Sequence, residues 1–292
     1  MVEAARKYQR VVQAGTMQRS AEHFQKACEL VRSGELGKVI FVRTWNYSNT
    51  PQEGIGNPPD SDPLPGLNWD MWLGPAPKRP FNFNRFGVDP EDKYFARFRW
   101  FWDYAGGMMT DWGVHWLDIV QMAFDEAMPT SITALGGKLW VKDNRETPDT
   151  LQVTYEYPAG FVATYEHRLG NAQSMFGKSG GILFHGDKAT LFVDRGGYRL
   201  VPEKGGESLE VKSTSSGNAN HWANFIECVR TRQKPNSDIE TCHRSTSTCI
   251  LGNAALHSHL RIDWDPQSQT ARQKETRKYL EREYRKPWKL TI

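Results

Sequence analysis

Three residues on one segment carry the types and spacing needed for proton chemistry. They are Asp111, His115 and Asp118 in GGMMTDWGVHWLDIV, Gly106–Val120. On a helix turning 100° per residue they fall within about 60° of one another, on a single stripe. A carboxylate four residues before an imidazole can hydrogen-bond it or share a ligand with it. Such a pair can take a proton from a hydroxyl and return it. Trp112, Trp116 and Ile119 centre on a face about 100° away, which is expected to be buried. The same spacing also suits a half-buried helix held by an i,i+4 pair, and spacing alone does not choose. Gly106 and Gly107 at the start and Gly113 within favour close approach of a ligand or backbone, since a mid-helix glycine costs about 1 kcal/mol relative to alanine.

Other polar residues could join this stripe. His167 in TYEHRL and His185 in FHGD lie on expected strands. Converging with Asp111, His115 and Asp187, they would offer nitrogen and oxygen ligands to zinc or manganese. Their spacing lacks HxH or HExxH regularity, so ordinary core or surface histidines are the competing assignment. Arg97, Arg99 and Lys93 precede the helix and could meet an acidic or phosphorylated substrate, or form a solvated loop face. The expected substrate-contacting set is Asp118, Arg97, Arg99 and Trp112. His257 and His259 fall at a helix end and suit its dipole or an interface. There is no GxSxG or other nucleophile signature.

These residues need a scaffold. Val2–Arg10 reads as a helix and VVQAG (Val11–Gly15) as a buried strand, after which Ser20 caps a helix reaching about Ser33. Lys38–Tyr47 alternates and is β-rich. Residues 48–66, rich in proline and glycine, read as a long loop, and loops of that length are usually functional or flexible. An aromatic stretch, Trp69 to Trp102, leads to the expected helix from Gly107 to Asp125. From Ser131 to Leu200 β-rich runs alternate with turn signals, the pattern of an antiparallel meander. Helices return at Ala219–Thr231 and Thr241–Leu260, and Tyr279, Leu280, Tyr284 and Trp288 are the expected anchors of a charged tail. The fold class is α+β, with an open, mainly antiparallel sheet of six to nine strands and helices on one face. Its expected units are residues 1–36, an incomplete α/β lobe, residues 37–265, and a C-terminal arm, 266–292.

Composition narrows the partners. The 292 residues carry 37 Lys and Arg against 34 Asp and Glu, and acids alternate with bases even in the tail, which argues against nucleic acid. Eleven tryptophans exceed a plain core's needs; they can line a saccharide pocket, although core and oligomer contacts are the commoner use. Cys28, Cys228, Cys242 and Cys249 show no CxxC spacing and suit free thiols in a reducing compartment. There is no run of 18 apolar residues and no apolar h-region at the start, so the expectation is a soluble, cytoplasmic chain without a membrane span.

The helix pattern GG-x3-D-x-G-x-H-x2-D resembles the active-site helix of the Gfo/Idh/MocA oxidoreductases. The resemblance continues through WDMWLGPAP (Trp69–Pro77), FRWFWDYAGG (Phe98–Gly107), DNRETPDTLQVTYEYP (Asp143–Pro158), FHGDKATLFVDRGGY (Phe184–Tyr198) and HWANFIECVRTRQKP (His221–Pro235). It implies that His115 is the acid/base acting on a sugar or polyol hydroxyl. It further implies that Asp111 orients His115 or binds hydroxyls, and that Asp118 braces the helix. It implies NAD(P) as the family's cofactor and a homodimer or homotetramer formed through the sheet. The family's GxGxxG turn and EKP lysine motif are absent from these residues, so the chain reads as lacking most of the Rossmann half and is expected to bind no dinucleotide. Three functions then compete: a truncated sugar or polyol oxidoreductase, a cofactor-independent hydrolase or lyase with or without a metal, and a non-catalytic binding or oligomerisation module.

Overall fold

The computed structural model describes residues 1–87 and 97–291. Alternation in the sequence becomes a single ten-stranded sheet. Its strands are β1 (Val39–Tyr47), β2 (Ser131–Gly137), β3 (Thr150–Tyr157), β4 (Phe161–Arg168), β5 (Gly180–Gly186), β6 (Ala189–Asp194), β7 (Gly197–Pro202), β8 (Leu209–Lys212), β9 (Ile262–Asp265) and β10 (Thr270–Ala271). Their order is β10-β9-β2-β3-β4-β1-β5-β6-β7-β8. Among the described residues only β1 and β4 run parallel; every other pair is antiparallel. The count exceeds the expected range because the short strands β8, β9 and β10 carry too few alternating residues to signal themselves.

Strand parity sorts the two faces. Val42, Leu151, Val153, Tyr155, Ala163, Tyr165, Ile182, Phe184, Leu191 and Val193 point to one side and join the main core. Helices α2 (Glu22–Arg32), α5 (Gly107–Ala123) and α7 (Ile239–Ser258) cover that side, as expected. Phe24, Ala27, Cys28 and Val31 recur at helical spacing and bury the inner face of α2 in the same core. The opposite face holds a smaller cluster of Trp45, Tyr47, Leu183 and Phe192. The loop after β4 roofs part of it: Trp45 Nε1 donates to Lys178 O at 3.1 Å, and Phe176 packs on Phe192. That face is therefore partly covered without a helix.

The N-terminal segment departs from expectation. Helix α1 spans Val2–Lys7, and Val11–Gly15 forms no strand. Gln13 makes only an isolated bridge with Asp238, since no neighbouring strand offers a ladder. Ser20 does not cap α2 either; Ala21 holds that position while the Ser20 hydroxyl bonds Nδ1 of His221, at 2.8 Å, on α6 (Asn218–Thr231).

The long loop is anchored rather than loose. Asn84, wholly buried on the short helix α4 (Phe83–Phe86), donates to Ile55 O, Gly56 O and Asn144 Oδ1. Many of the surplus aromatics pack on one another here, with Trp69 stacked on Trp72 of α3 (Trp69–Leu73) and edge-on to Phe81. The tail docks through Tyr279, stacked on His257, and Arg285, which binds Asp70.

Candidate active site

Helix α5 presents different surroundings along its length. Its C-terminal half is buried all round, because the 3₁₀ turn Met17–Ser20 and α2 cover the side away from the sheet. Its N-terminal half leaves Met108, Asp111, Trp112 and His115 half-exposed. Both glycines at its start are filled from within. A Cβ on Gly106 would meet Asn253 and Thr110, and one on Gly107, at φ +64°, would lie 2.7 Å from Thr147 Cβ. Gly113 faces the buried ring of Tyr165, so the close approach there is core packing and no ligand is needed to explain it.

Asp111 does not hydrogen-bond His115. Its Oδ2 accepts from Nη1 of Arg99 at 2.9 Å. Burial still raises the Asp111 carboxyl above its ordinary range, against the pull of Arg99 and Arg195. His115 packs edge-on to Trp112, and Gln18 Nε2 donates to its carbonyl oxygen at 2.9 Å. Its Nδ1 is buried with no partner among the described residues. Burial, reinforced by Arg195, pushes the imidazole down to about 4, so it is neutral near pH 7. A neutral imidazole with an unengaged nitrogen is a proton acceptor.

A cleft of about 320 Å³ opens against the adjoining Trp112–Trp116 side of α5, with Asp111 and His115 flanking it and not among its lining residues. Met108, Trp112 and Trp116 line it from α5, with Asn46, Tyr47 and Ser48 from the end of β1. Ser179, Gly180 and the Asp194–Arg195 turn complete it. Trp116 Nε1 donates to Asn46 Oδ1 at 2.9 Å, fixing the wall. Arg195 lies with its guanidinium 4.3 Å from the centre of the Trp112 ring, a cation–π contact.

The structure thus brings Asp111, His115, Trp112 and Arg99 together. Asp118 is corrected: it is fully buried and cannot touch substrate. It accepts from Arg19 Nε at 2.7 Å and from the Ser245 hydroxyl. Arg97 Nη1 donates to Asn84 Oδ1 at 2.6 Å and to Ile55 O, at the loop anchor. Lys93 lies outside the described residues.

The proposed metal set does not converge. His185 alternates with Ile182 and Phe184 onto the opposite sheet face, near Phe41. His167 stays on the helix side, buried, with Nε2 on Pro148 O at 3.1 Å. Among the described residues no three His, Cys, Asp or Glu side chains lie where one ion could be held, so these residues do not fit a metal. The starts of α5 and α2 present no open cradle for a pyrophosphate. The glycine-led start of α5 is packed by Thr110, Thr147 and Asn253, and α2 begins at Ala21, whose N–H donates to Gln18 O and whose Cβ lies against Gly217.

Sequence reasoning missed Asn46, Gln18 and Arg195. Asn46 had a signal, being a polar residue at an inward position of an alternating strand. Gln18 and Arg195 had none, since their roles depend on how separate elements meet.

The chain belongs to the Gfo/Idh/MocA oxidoreductase family, whose C-terminal alpha/beta domain matches residues 44–290. Among solved structures it is similar to the aldose-aldose oxidoreductase of Caulobacter crescentus complexed with glycerol, at 16% identity and TM-score 0.62, over 90% of this chain and 66% of that one. It is also similar to the WlbA dehydrogenase of Bordetella pertussis in complex with NADH and UDP-GlcNAcA, at 16% identity and TM-score 0.59, again over 90% and 66%. The chain therefore spans a little under two thirds of the length of these structures, and the likeness is one of fold. Comparison with curated proteins finds no match.

Proposed function

We propose that residues 1–292 form the substrate-binding, acid/base half of a sugar- or polyol-directed oxidoreductase. The observation that supports this reading is His115, neutral and with Nδ1 unpartnered among the described residues, one helical turn from Asp111 on the helix whose Trp112 and Trp116 wall the cleft. In alcohol oxidation the hydroxyl proton passes to the imidazole. Asp111, held by Arg99, accepts hydrogen bonds from neighbouring hydroxyls, and the flat faces of Trp112 and Trp116 meet the C–H face of the ring. NAD(P), the family's cofactor, would accept the hydride from the carbinol carbon, held by a dinucleotide-binding portion. We also infer self-association through the sheet face that carries Trp45, Tyr47 and Phe192, as a homodimer or homotetramer.

The test is calorimetric titration of glucose and myo-inositol into wild type and His115→Ala, with the His115 ring resonances followed by NMR in wild type. Bound polyol should shift those resonances, and the alanine variant should bind at least about tenfold more weakly. Undisturbed His115 resonances at saturating polyol would overturn the reading. NADH added to the same samples should give no saturable fluorescence change at micromolar concentration. Hydrolysis or elimination of a substrate without any dinucleotide would favour the hydrolase or lyase reading, which uses the same two residues to activate water.

A further inference from the structure

We propose that Arg195 sets the substrate class, and that the cleft beside His115 takes a sugar or polyol bearing a carboxylate. This rests on the polyol reading above and adds the charge that the ligand must carry. Arg195 follows β6 at the turn into β7. Its Nε donates to Gln18 Oε1 at 3.1 Å, and its guanidinium lies over Trp112. The fork is therefore held on one edge and one face before any ligand arrives. Its Nη atoms make no hydrogen bond or ion pair among the described residues, and it lines the cleft.

The neighbouring charges are already matched. Arg99 is paired with Asp111, Arg19 with Asp118 and Glu126, and Asp194 with Lys178 at 3.5 Å. Among the described residues Arg195 has no carboxylate in an ion pair with it, Asp111 acting on it only at longer range. A planar guanidinium with two outward N–H edges matches a carboxylate in bidentate geometry. A monoanion balances it. A dianionic phosphate would leave one negative charge beside Asp111 and Asp194, which repel it.

Position supports the same reading. Gln18 bridges the two functions: its Oε1 accepts from Arg195 while its Nε2 donates to the His115 carbonyl. An anion gripped by Arg195 is thereby registered against the imidazole through one side chain. Asn46, Ser48 and Ser179 supply polar groups for hydroxyls, and a volume of about 320 Å³ suits one sugar ring.

Calorimetric titration with D-glucuronate, D-glucose and D-glucose 6-phosphate at low ionic strength tests this, in wild type and Arg195→Gln. Arg195 is exposed on a turn, so the variant should melt as wild type does. Glucuronate should bind wild type about tenfold or more tighter than glucose, as expected for a hydrogen-bonded charge pair. Arg195→Gln should abolish that preference, weakening glucuronate at least about tenfold more than it weakens glucose. Arg195→Lys, with charge but no fork, should restore only part of it. Equal binding of glucuronate and glucose, a preference that survives Arg195→Gln, or a preference for the phosphate would each overturn the proposal. Selective glucuronate binding with His115 resonances undisturbed keeps Arg195 and removes the acid/base reading. His115-dependent glucose binding without glucuronate preference does the reverse. Binding of none of the three removes both.

Discussion

Nη1 of Arg99 stands 2.9 Å from Oδ2 of Asp111, so the carboxylate spaced to meet His115 is held instead by an arginine from the preceding 3₁₀ turn. Among the described residues His115 is left without a carboxylate partner, and the Trp112 ring and burial fix its surroundings. An imidazole in that position stays neutral and receptive, whereas one paired to a carboxylate would be drawn towards its charged form.

That neutrality has a measurable consequence for stability. His115 and His167 are both pushed down to about 4, in each case chiefly by burial. Their folded values lie below the ordinary histidine value near 6.5, so on acidification the unfolded chain takes up these protons first. The stability they contribute is complete above about pH 6.5 and falls as pH drops towards 4. The urea midpoint should therefore fall through this window. His115→Asn or His167→Asn should each reduce the slope by up to about one proton. A slope that neither variant changes would show that these rings are not the titrating groups.

Arg19 and Asp118 form a buried pair whose loss is expected to be severe. Arg19 is 4% exposed and Asp118 not at all, and Arg19 also reaches Glu126. Burial opposes the guanidinium charge, but the two carboxylates outweigh it and hold it protonated. Arg19→Ala strands the Asp118 charge in the core and should cost about 3–5 kcal/mol by urea denaturation. A loss below about 1 kcal/mol would mean that water reaches Asp118 when the arginine is gone. Asp118→Leu combined with Arg19→Met should recover much of the loss.

The roofed sheet face should mediate association. Phe176 is 42% exposed over the smaller core cluster, and Leu135 is 78% exposed on β2. Light scattering should give a dimer or tetramer at micromolar concentration. Phe176→Asp should shift it towards monomer, by about tenfold or more in dissociation constant if the ring is central to the contact. A wild-type monomer at every accessible concentration would remove the inference.

The periodic parts of this fold were legible in the sequence. Glycine, proline and alternation placed α5, α7, β1 and the β3–β7 meander to within a few residues. The residues that failed were those whose fate depends on neighbours. Val11–Gly15 has strand composition but no partner ladder. Ser20 has cap chemistry but is claimed by His221. Of the stripe on α5, angular spacing placed Asp111 and His115 at the surface, yet it gave Asp118 the same standing. The helix pattern does not record that the turn at 17–20 lies across its second half. Strand parity would have separated His167 from His185, had it been counted from the core residues Tyr165 and Phe184.

That short turn has a wider consequence. Gln18 reaches the His115 carbonyl and Arg195, Arg19 reaches Asp118 and Glu126, and Ser20 reaches His221, so three consecutive residues grip four separate elements. Tightening one grip restrains the others. An anion docked on Arg195 would slow amide exchange in the N-terminal segment, and by thermodynamic reciprocity anything that steadies that segment would sharpen the cleft for its anion. The opening residues of the chain, remote from the helix in sequence, would then act as the tuning peg of its active surface.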